Sequence, residues 1–206
     1  MKLTSEQVVQ LEEFLERIKG QTYPEPPTEI HKPIIDAMVP QTVELTKLPA
    51  GSRVLDVGCG QGGAMELFKR AGMDVVGVTL NQEDRDVCAR LGYDVRLMDQ
   101  SFLDFPAESF DMLWVRHCLE HSIFPYFTLT GFARLLKPAG WLYVEVPAPD
   151  TSCHHETNKN HYSVLPKSMW ESLFGRVGFV PFAGTAHTPV TRAGPDVYWA
   201  FLMKKA

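Results

Sequence analysis

A glycine-rich turn is the part of this sequence best suited to holding a ligand. The apolar run 53–57 leads into Gly58, Gly60 and Gly63, and a helical stretch follows. Such a turn lets backbone N–H groups approach a ligand closely, and the start of the helix adds partial positive charge. The spacing also satisfies the dinucleotide fingerprint, which alone is a weak signal. The strand–turn–helix context favours a nucleotide-type cradle over a merely tight turn.

A carboxylate helps to separate the ligands that this turn could hold. Asp56 stands at the end of the strand, two residues before the first glycine. It would repel a pyrophosphate and attract an ammonium group. The turn therefore favours a ligand with a cationic end over a nicotinamide dinucleotide.

Three histidines are candidates for acid–base chemistry, because an imidazole that titrates near neutrality can remove a proton from a hydroxyl or an ammonium group. His117 follows the predicted fourth strand directly, at the crevice where open α/β sheets bind ligands. His121 lies one helical turn further on, and His161 falls in the loop after the fifth strand. We expect all three to be catalytic, although a structural hydrogen bond at the turn explains His121 equally well.

The loop after the fifth strand also invites a metal hypothesis, because it holds Cys153, His154, His155, Glu156 and His161. Adjacent histidines in an extended loop point in different directions, and the sequence offers no second ligand pair at zinc-module spacing. We therefore expect a solvated loop over the substrate and no metal site.

Short apolar runs alternate with helical stretches from residue 53 onwards, which is typical of βαβ units around a largely parallel sheet. The predicted strands are 53–57, 74–80, 94–98, 110–115, 141–146, 179–187 and 196–204. The helices between and after them are predicted near 62–71, 82–91, 126–136 and 166–176. A Gly/Pro/Thr-rich stretch separates the last two strands, which suits an antiparallel pair at the sheet edge.

The N-terminal part has a different pattern. Apolar residues at helical spacing predict a helix over 5–19, started by a capping box of Thr4 and Gln7. Prolines between residues 20 and 33, Pro27 among them, then predict an extended connector. A second helical stretch follows, interrupted by Pro40.

The glycine turn resembles the first motif of the class I S-adenosylmethionine-dependent methyltransferases. The family's pattern, hydrophobic-Leu-Asp-x-Gly-x-Gly-x-Gly, is matched by Leu55, Asp56, Gly58, Gly60 and Gly62. Further stretches similar to the small-molecule branch of this family, types 11 and 23, are 99–111, 117–121, 133–147 and 160–179. The resemblance implies a doubly wound, Rossmann-like sheet of seven strands, mostly parallel with an antiparallel C-terminal edge pair. It also implies S-adenosyl-L-methionine as the cofactor.

The resemblance assigns roles to particular residues. Asp56 and the glycine turn would hold the amino-acid end of the cofactor, and Asp99, with Gln100 beside it, would bind the adenine. The whole set expected to bind the cofactor is Asp56, Gly58, Cys59, Gly60, Gly62, Thr79, Leu80, Asn81, Asp99, Gln100 and Ser101.

One position departs from the family pattern. Thr79 stands where an Asp or Glu usually ends the second strand and binds the ribose. A hydroxyl cannot match the charge-assisted hydrogen bonds of a carboxylate. Asn81, Gln82 or Asp84 could replace that carboxylate; the alternative is that cofactor affinity is weak or lost.

Composition and net charge limit the kinds of partner that we expect the protein to bind. The chain has 206 residues with 20 Lys and Arg against 25 Asp and Glu, a formal net charge of −5. This balance disfavours a general binder of nucleic acid or anionic membranes. The first residues turn polar at once, so they do not predict a signal peptide, and no apolar run reaches membrane-spanning length. The four cysteines are widely spaced. We therefore expect reduced thiols and a cytoplasmic protein without membrane partners.

These observations predict an enzyme that transfers a methyl group to O or N of a small molecule. Residues 1–48 would form a helical cap with a Pro-rich connector, and residues 49–206 the S-adenosylmethionine-binding domain. The alternatives are a protein or RNA methyltransferase of the same fold and a binding module whose activity has decayed. The residues after the fourth strand, from Arg116 to Leu119, lack the motifs of DNA base methylation.

Overall fold

A computed structural model describes residues 2–24, 26 and 28–206. Pro27 of the predicted connector lies outside the described residues. The helices are α1 (Ser5–Lys19), α2 (His31–Thr46), α3 (Gly63–Arg70), α4 (Gln82–Arg90), α5 (Pro125–Leu135) and α6 (Lys167–Arg176). The strands are β1 (Arg53–Val57), β2 (Asp74–Thr79), β3 (Asp94–Leu97), β4 (Phe110–Arg116), β5 (Leu136–Pro147), β6 (Phe179–His187), β7 (Val190–Thr191), β8 (Gly194–Pro195) and β9 (Tyr198–Lys205).

Seven strands form one sheet in the order β3-β2-β1-β4-β5-β9-β6. The first five in this order are parallel, whereas β9 runs antiparallel to both β5 and β6. The predicted α/β class, seven-stranded sheet and antiparallel edge pair are therefore confirmed. The order reverses between β1 and β4, so the loops that leave these two strands diverge and open a crevice.

The sheet is covered on both faces, as its mostly apolar central strands require. On one face, α5 and α6 contribute buried residues such as Phe132 and Trp170. On the other, Phe68 of α3 packs with Met38 and Val39 of α2 in a second buried cluster. Helix α2 therefore belongs to the core of the sheet, while α1 buries only Ile18.

Three details differ from the sequence prediction. Pro40 does not interrupt α2, because it lies on the exposed side of one continuous helix, where the carbonyl group that loses its N–H partner can reach water. Strand β5 begins at Leu136, not 141, because Leu136 pairs with Phe110 ahead of a register shift. The stretch before β9 forms a separate two-stranded hairpin, β7–β8.

Candidate active site

Two adjoining cavities lie at the carboxyl ends of the parallel strands. The smaller, about 100 Å³, is lined largely by residues that follow β2 and β3. The larger, about 450 Å³, lies over the glycine turn and beside the residues that follow β4. The two cavities share lining residues, among them Gly58, Gly60, His117 and His121. The cavities therefore form one site at the predicted crevice.

The glycine turn adopts backbone angles that favour glycine, with φ of 75° at Gly58 and 48° at Gly60. The N–H groups of Gly58 and Cys59 donate to the carbonyl of Val78 at 2.9 and 3.0 Å, which holds the turn against β2. A Cβ added to Gly58 would lie 2.8 Å from the Cβ and Sγ atoms of Cys118. Both backbone angle and space therefore restrict this position to glycine.

Asp56 is a buried carboxylate that the protein leaves incompletely paired. It is 3% exposed, and its Oδ2 atom has no hydrogen bond within the described part of the chain. Burial raises the pKa of Asp56 to about 7, while the charge of Arg116 acts in the opposite direction. Asp56 lines the larger cavity beside the glycine turn. A cationic amino group bound there would give the carboxylate the partner it lacks.

Asp99 and Gln100 line the smaller cavity. Asp99 Oδ1 accepts the N–H of Ser101 at 2.7 Å. Gln100 Nε2 donates to the carbonyl of Cys118 at 2.7 Å, and its Oε1 atom is buried without a partner among the described residues. The Ser101 side chain instead hydrogen-bonds Thr128 at 2.7 Å, and Ser101 is not part of either lining. Ser101 therefore holds the Asp99 carboxylate in place through its own backbone N–H group.

Thr79, Leu80 and Asn81 also line the smaller cavity. Thr79 Oγ1 accepts the N–H of Asn81 at 3.1 Å, so the hydroxyl is engaged locally. The side chain of Asn81 caps α4, where its Oδ1 accepts the N–H groups of Glu83 and Asp84 at 2.9 and 3.1 Å. These two polar side chains therefore shape the turn after β2.

Asp84 of α4 supplies a carboxylate to the cavity region where Thr79 replaces the usual acidic residue. Asp84 is 1% exposed, lines the smaller cavity and accepts a hydrogen bond from Gln61 Nε2 at 3.2 Å. Gln82, the other substitute considered, bonds Asp86 on the exposed side of the helix. Of the residues just after Thr79, Asp84 is the acidic one that reaches the cavity.

Cys59 and Gly62 have different positions. Cys59 lines the larger cavity, with its Sγ atom 3.6 Å from the carbonyl oxygen of Gly60. Gly62 lines neither cavity; it precedes α3 with φ of 85°, and a Cβ there would lie 2.9 Å from the Tyr93 ring. The start of the helix and the tight packing explain why this residue is glycine. Motif spacing alone does not distinguish these reasons from contact with a ligand.

His117 belongs to a buried charge network at the end of β4. Its Nε2 atom lies 2.7 Å from Oε1 of Glu145, which is fully buried and also pairs with Arg116 at 2.9 Å. The hydroxyl of Tyr143 donates to the other Glu145 oxygen at 2.9 Å. Burial and the charge of Arg116 lower the pKa of His117 to about 3. The imidazole is therefore neutral at pH 7, donates from Nε2 to Glu145 and keeps Nδ1 as an acceptor.

Two aromatic residues that sequence reasoning missed complete the wall beside His117. The Tyr198 ring stacks on His117 with centroids 4.3 Å apart, and His31 meets His117 edge-on at 4.7 Å. Both line the larger cavity. The one signal for Tyr198 is topological: β9 runs antiparallel to β5, so its first residue pairs with Pro147 at the carboxyl end of β5.

His121 and His161 form a second imidazole pair, edge-on with centroids 4.7 Å apart. His121 Nδ1 lies 2.9 Å from the carbonyl oxygen of Asn160, so this nitrogen is the donor and Nε2 is left as an acceptor. His161 Nδ1 is buried and has no partner among the described residues. Burial lowers the pKa of both rings, that of His161 to about 4. Both line the larger cavity, with Glu120 as a neighbour.

The N-terminal segment and the loop after β5 cover this site. Ile18, Thr22 and Tyr23 line the smaller cavity, and Tyr23 also lines the larger one. The Tyr162 hydroxyl donates to Gln21 Oε1 at 2.6 Å, which joins the two covering segments.

Within the loop after β5, the structure separates the metal-binding side chains that lie together in sequence. His154 and Glu156 are exposed, whereas Cys153 and His155 approach Asp196, a residue from the turn before β9. The donor atoms of Cys153, His155 and Asp196 lie within 4.8 Å of one another. Asp196 is distant in sequence, so ligand spacing could not find this cluster.

No helix in the described ranges has the length and apolar character needed to cross a membrane.

Fold and site together define the class of protein. A seven-stranded sheet with a glycine-rich turn after β1, an acidic residue before that turn and a cavity beyond it is the architecture of a class I S-adenosylmethionine-dependent methyltransferase. The chain belongs to the methyltransferase domain family, whose model matches residues 34–180.

Named relatives act on different atoms. The chain is 41% identical over 104 residues to a ubiquinone biosynthesis O-methyltransferase of Xanthomonas axonopodis pv. citri, a match to 47% of this chain and 43% of that protein. It is 32% identical over 162 residues to a sarcosine/dimethylglycine N-methyltransferase of Aphanothece halophytica, covering 72% and 57% respectively. The chain thus spans about half the length of these relatives.

Solved structures share the fold at low identity. A SAM-dependent methyltransferase from Archaeoglobus fulgidus superposes with a TM-score of 0.67 at 20% identity, over 84% of this chain and 94% of that one. The [4+2]-cyclase SpnF superposes with a TM-score of 0.69 at 19% identity, over 98% and 96%. The same fold therefore carries more than one named reaction.

Proposed function

We propose that this protein transfers the methyl group of S-adenosyl-L-methionine to an oxygen or nitrogen of a small molecule. The observation that carries the proposal is Asp56, a buried and incompletely paired carboxylate beside a glycine turn that opens into an imidazole-lined cavity. That arrangement accepts the cationic amino-acid end of the cofactor and leaves room for a second molecule beyond it.

The residues present fit the cofactor. Asp56, Gly58 and Gly60 would hold its amino-acid end, Asp84 its ribose, and Asp99 its adenine. When bound, the cofactor supplies a methyl group on a positively charged sulfur. The orphaned Oδ2 of Asp56 is the feature of this chain that argues most directly for a cationic group there.

The chain's own residues would orient the acceptor, exclude water and accept a proton from it. His121 and His161 both line the larger cavity as neutral rings, and His121 keeps Nε2 as an acceptor. His117, whose Nε2 donates to Glu145, keeps its Nδ1 atom as a further acceptor. We assign all three to the acceptor, with the pair His121–His161 as the proton acceptor because Nε2 of His117 is already engaged by the buried Glu145 carboxylate.

A small acceptor fits this partly covered site better than a macromolecule. The connector and the loop after β5 stand over the larger cavity, and a protein or RNA substrate needs an open surface there. The net charge of −5 also gives no long-range attraction for nucleic acid. The O- and N-methyltransferases among the relatives support an oxygen or nitrogen acceptor. The free thiols of the four cysteines suit a cytoplasmic location.

Isothermal titration with S-adenosylmethionine tests the donor half of the proposal, with NADH as the control ligand. We expect saturable binding of the former alone. The Asp84→Asn variant should bind the cofactor about tenfold more weakly, because a charge-assisted hydrogen bond becomes a neutral one. No detectable binding of S-adenosylmethionine would favour the alternative of a binding module whose activity has decayed.

A screen for transfer of tritiated methyl groups across metabolite pools tests the acceptor half. We expect a small-molecule fraction to become labelled, and we expect His161→Ala to lose most turnover while keeping cofactor affinity. Label recovered only in protein or RNA would overturn the small-molecule assignment, and full turnover in both His117→Ala and His161→Ala would overturn the acid–base assignment.

A further inference from the structure

A second cluster of potential ligands lies beside the larger cavity and is not used by the proposed reaction. Cys153 and His155 come from the loop after β5, and Asp196 from the turn before β9. His155 Nε2 lies 3.0 Å from each oxygen of Asp196. The Cys153 sulfur lies within 4.8 Å of the donor atoms of both residues and 3.2 Å from the Thr191 hydroxyl oxygen. Thiolate, imidazole and carboxylate are the ligand types that Zn²⁺ takes in proteins.

No permanent cation lies beside Asp196 among the described residues. Asp196 is fully buried, and its one ion-pair partner among the described residues is His155, which carries charge only when protonated. Hydrogen bonds from Tyr198 and the backbone of Val197 satisfy part of the carboxylate. A buried anion without a permanent cation is costly. A divalent ion held by one thiolate and one carboxylate gives a neutral site, which suits burial.

The three donor atoms mark where the ion would sit. In the structure the His155 ring nitrogen faces the Asp196 carboxylate, and the Cys153 sulfur lies nearby, beside the Thr191 hydroxyl. On binding, Cys153 gives up its proton to solvent and forms a sulfur–metal bond. His155 binds the ion through the lone pair of Nε2 in the tautomer that carries its proton on Nδ1. A water completes four-coordination.

We propose that Cys153, His155 and Asp196 bind a zinc ion that fastens the loop after β5 to the start of β9. His155 and Tyr198 both line the larger cavity, and the Tyr198 hydroxyl is bonded to Asp196. The ion therefore holds two parts of the acceptor wall in register. It binds whether or not the protein transfers methyl groups, so its test does not depend on that activity.

Cobalt substitution of the full chain tests the site directly. After treatment with EDTA, Co²⁺ titration should give about one equivalent of binding, a sulfur-to-cobalt charge-transfer band in the near ultraviolet and the visible bands of four-coordinate cobalt. The Cys153→Ser variant should lose the charge-transfer band, and Asp196→Asn should bind at least about tenfold more weakly. His154→Ala, which changes the exposed neighbouring histidine, should match the wild type.

Two cobalt results would overturn the proposal. One is the absence of binding. The other is binding without a charge-transfer band, which would place the ion at Glu120, His121 and His161, the other group whose donor atoms lie within 4.8 Å of one another.

Alkylation of the unmodified protein gives a test that needs no variant. Zn²⁺ should slow the reaction of Cys153 with iodoacetamide at least about tenfold, measured by peptide mass spectrometry, because a metal-bound thiolate is shielded. Cys118 serves as the internal control, since it lies outside the cluster. Equal rates at Cys153 with and without Zn²⁺ would refute the site.

Discussion

Two buried ionisable side chains at the centre of the site are shifted in opposite senses. Burial favours the neutral form of each, so the pKa of Asp56 is raised to about 7 and that of His117 is lowered to about 3. Near neutral pH the His117 ring is uncharged, and Asp56 is close to its midpoint. A cationic ligand beside Asp56 would therefore draw out a proton when it binds.

The first prediction concerns the pH dependence that Asp56 imposes. Its folded-state pKa lies above the ordinary value of 3.8, so the folded protein binds this proton more tightly and stability falls as pH rises from about 4 to 7. Asp56→Asn should remove up to about 4 kcal/mol of this pH dependence. Urea unfolding of both proteins at pH 4.5 and 7.5 measures it, and the opposite contribution of His117 cancels in the difference. A pH-independent difference would contradict the burial argument.

The same ionisation governs cofactor affinity. Below pH 7 the cofactor must displace a proton from Asp56, so we expect its Kd to rise as pH falls, approaching tenfold per unit. Calorimetric titration in buffers of different ionisation enthalpy would detect the released proton. In Asp56→Asn the affinity should be low and should lose this dependence. No proton release at pH 6 in the wild type would count against the assignment.

At the scale of elements, the turn between β1 and α3 decides where the cofactor fits. Gly58 combines a φ of 75° with a backbone that lies against Cys118. Strain at such a position costs about 1–3 kcal/mol, and displacement of the turn would move the groups that contact the ligand.

Gly58→Ala should therefore lower the free energy of unfolding by at least about 1–3 kcal/mol and weaken cofactor binding more than tenfold. Gly131→Ala is the matched control, because Gly131 lies inside α5 and an added Cβ would meet no atom within 4 Å. That change should stabilise the helix by about 0.5–1 kcal/mol. Denaturation curves and calorimetry measure both; equal effects of the two substitutions would refute the role of close packing.

Periodicity and turn residues allowed most elements to be predicted, because local patterns specify them. The strand 53–57 and the helix 5–19 agree with the structure to the residue. The wall beside the acceptor was harder to predict from the sequence, because residues far apart in the chain build it. Tyr198 reaches His117 only through the antiparallel return of β9. Asp84, one of the substitutes considered for the carboxylate missing at Thr79, could be placed only when α4 was oriented against the cavity.

At the scale of the molecule, the predicted helical cap, residues 1–48, groups two helices that have different roles. Helix α2 supplies Met38 and Val39 to the cluster on one face of the sheet, whereas α1 is mostly exposed and reaches the site through Ile18. We propose that the cap proper is α1 with its connector and that α2 is part of the folding core.

Substitutions in the two helices test this division. Val39→Ala should lower the free energy of unfolding by about 2 kcal/mol, because Val39 is 1% exposed. Val9→Ala in α1 should change it by less than about 0.5 kcal/mol, because Val9 is 50% exposed. Equilibrium denaturation of both variants decides the matter, and comparable losses would mean that α1 also belongs to the core.

The position of β9 between β5 and β6 has a consequence for biosynthesis. Although β9 is the last strand of the sheet to leave the ribosome, it must insert between two strands made earlier. The glycine turn and the strands around it are complete before then, whereas Tyr198 arrives with β9 itself. In the order of synthesis, the segments of the nucleotide-type cradle therefore precede the strand that completes the wall facing the second substrate.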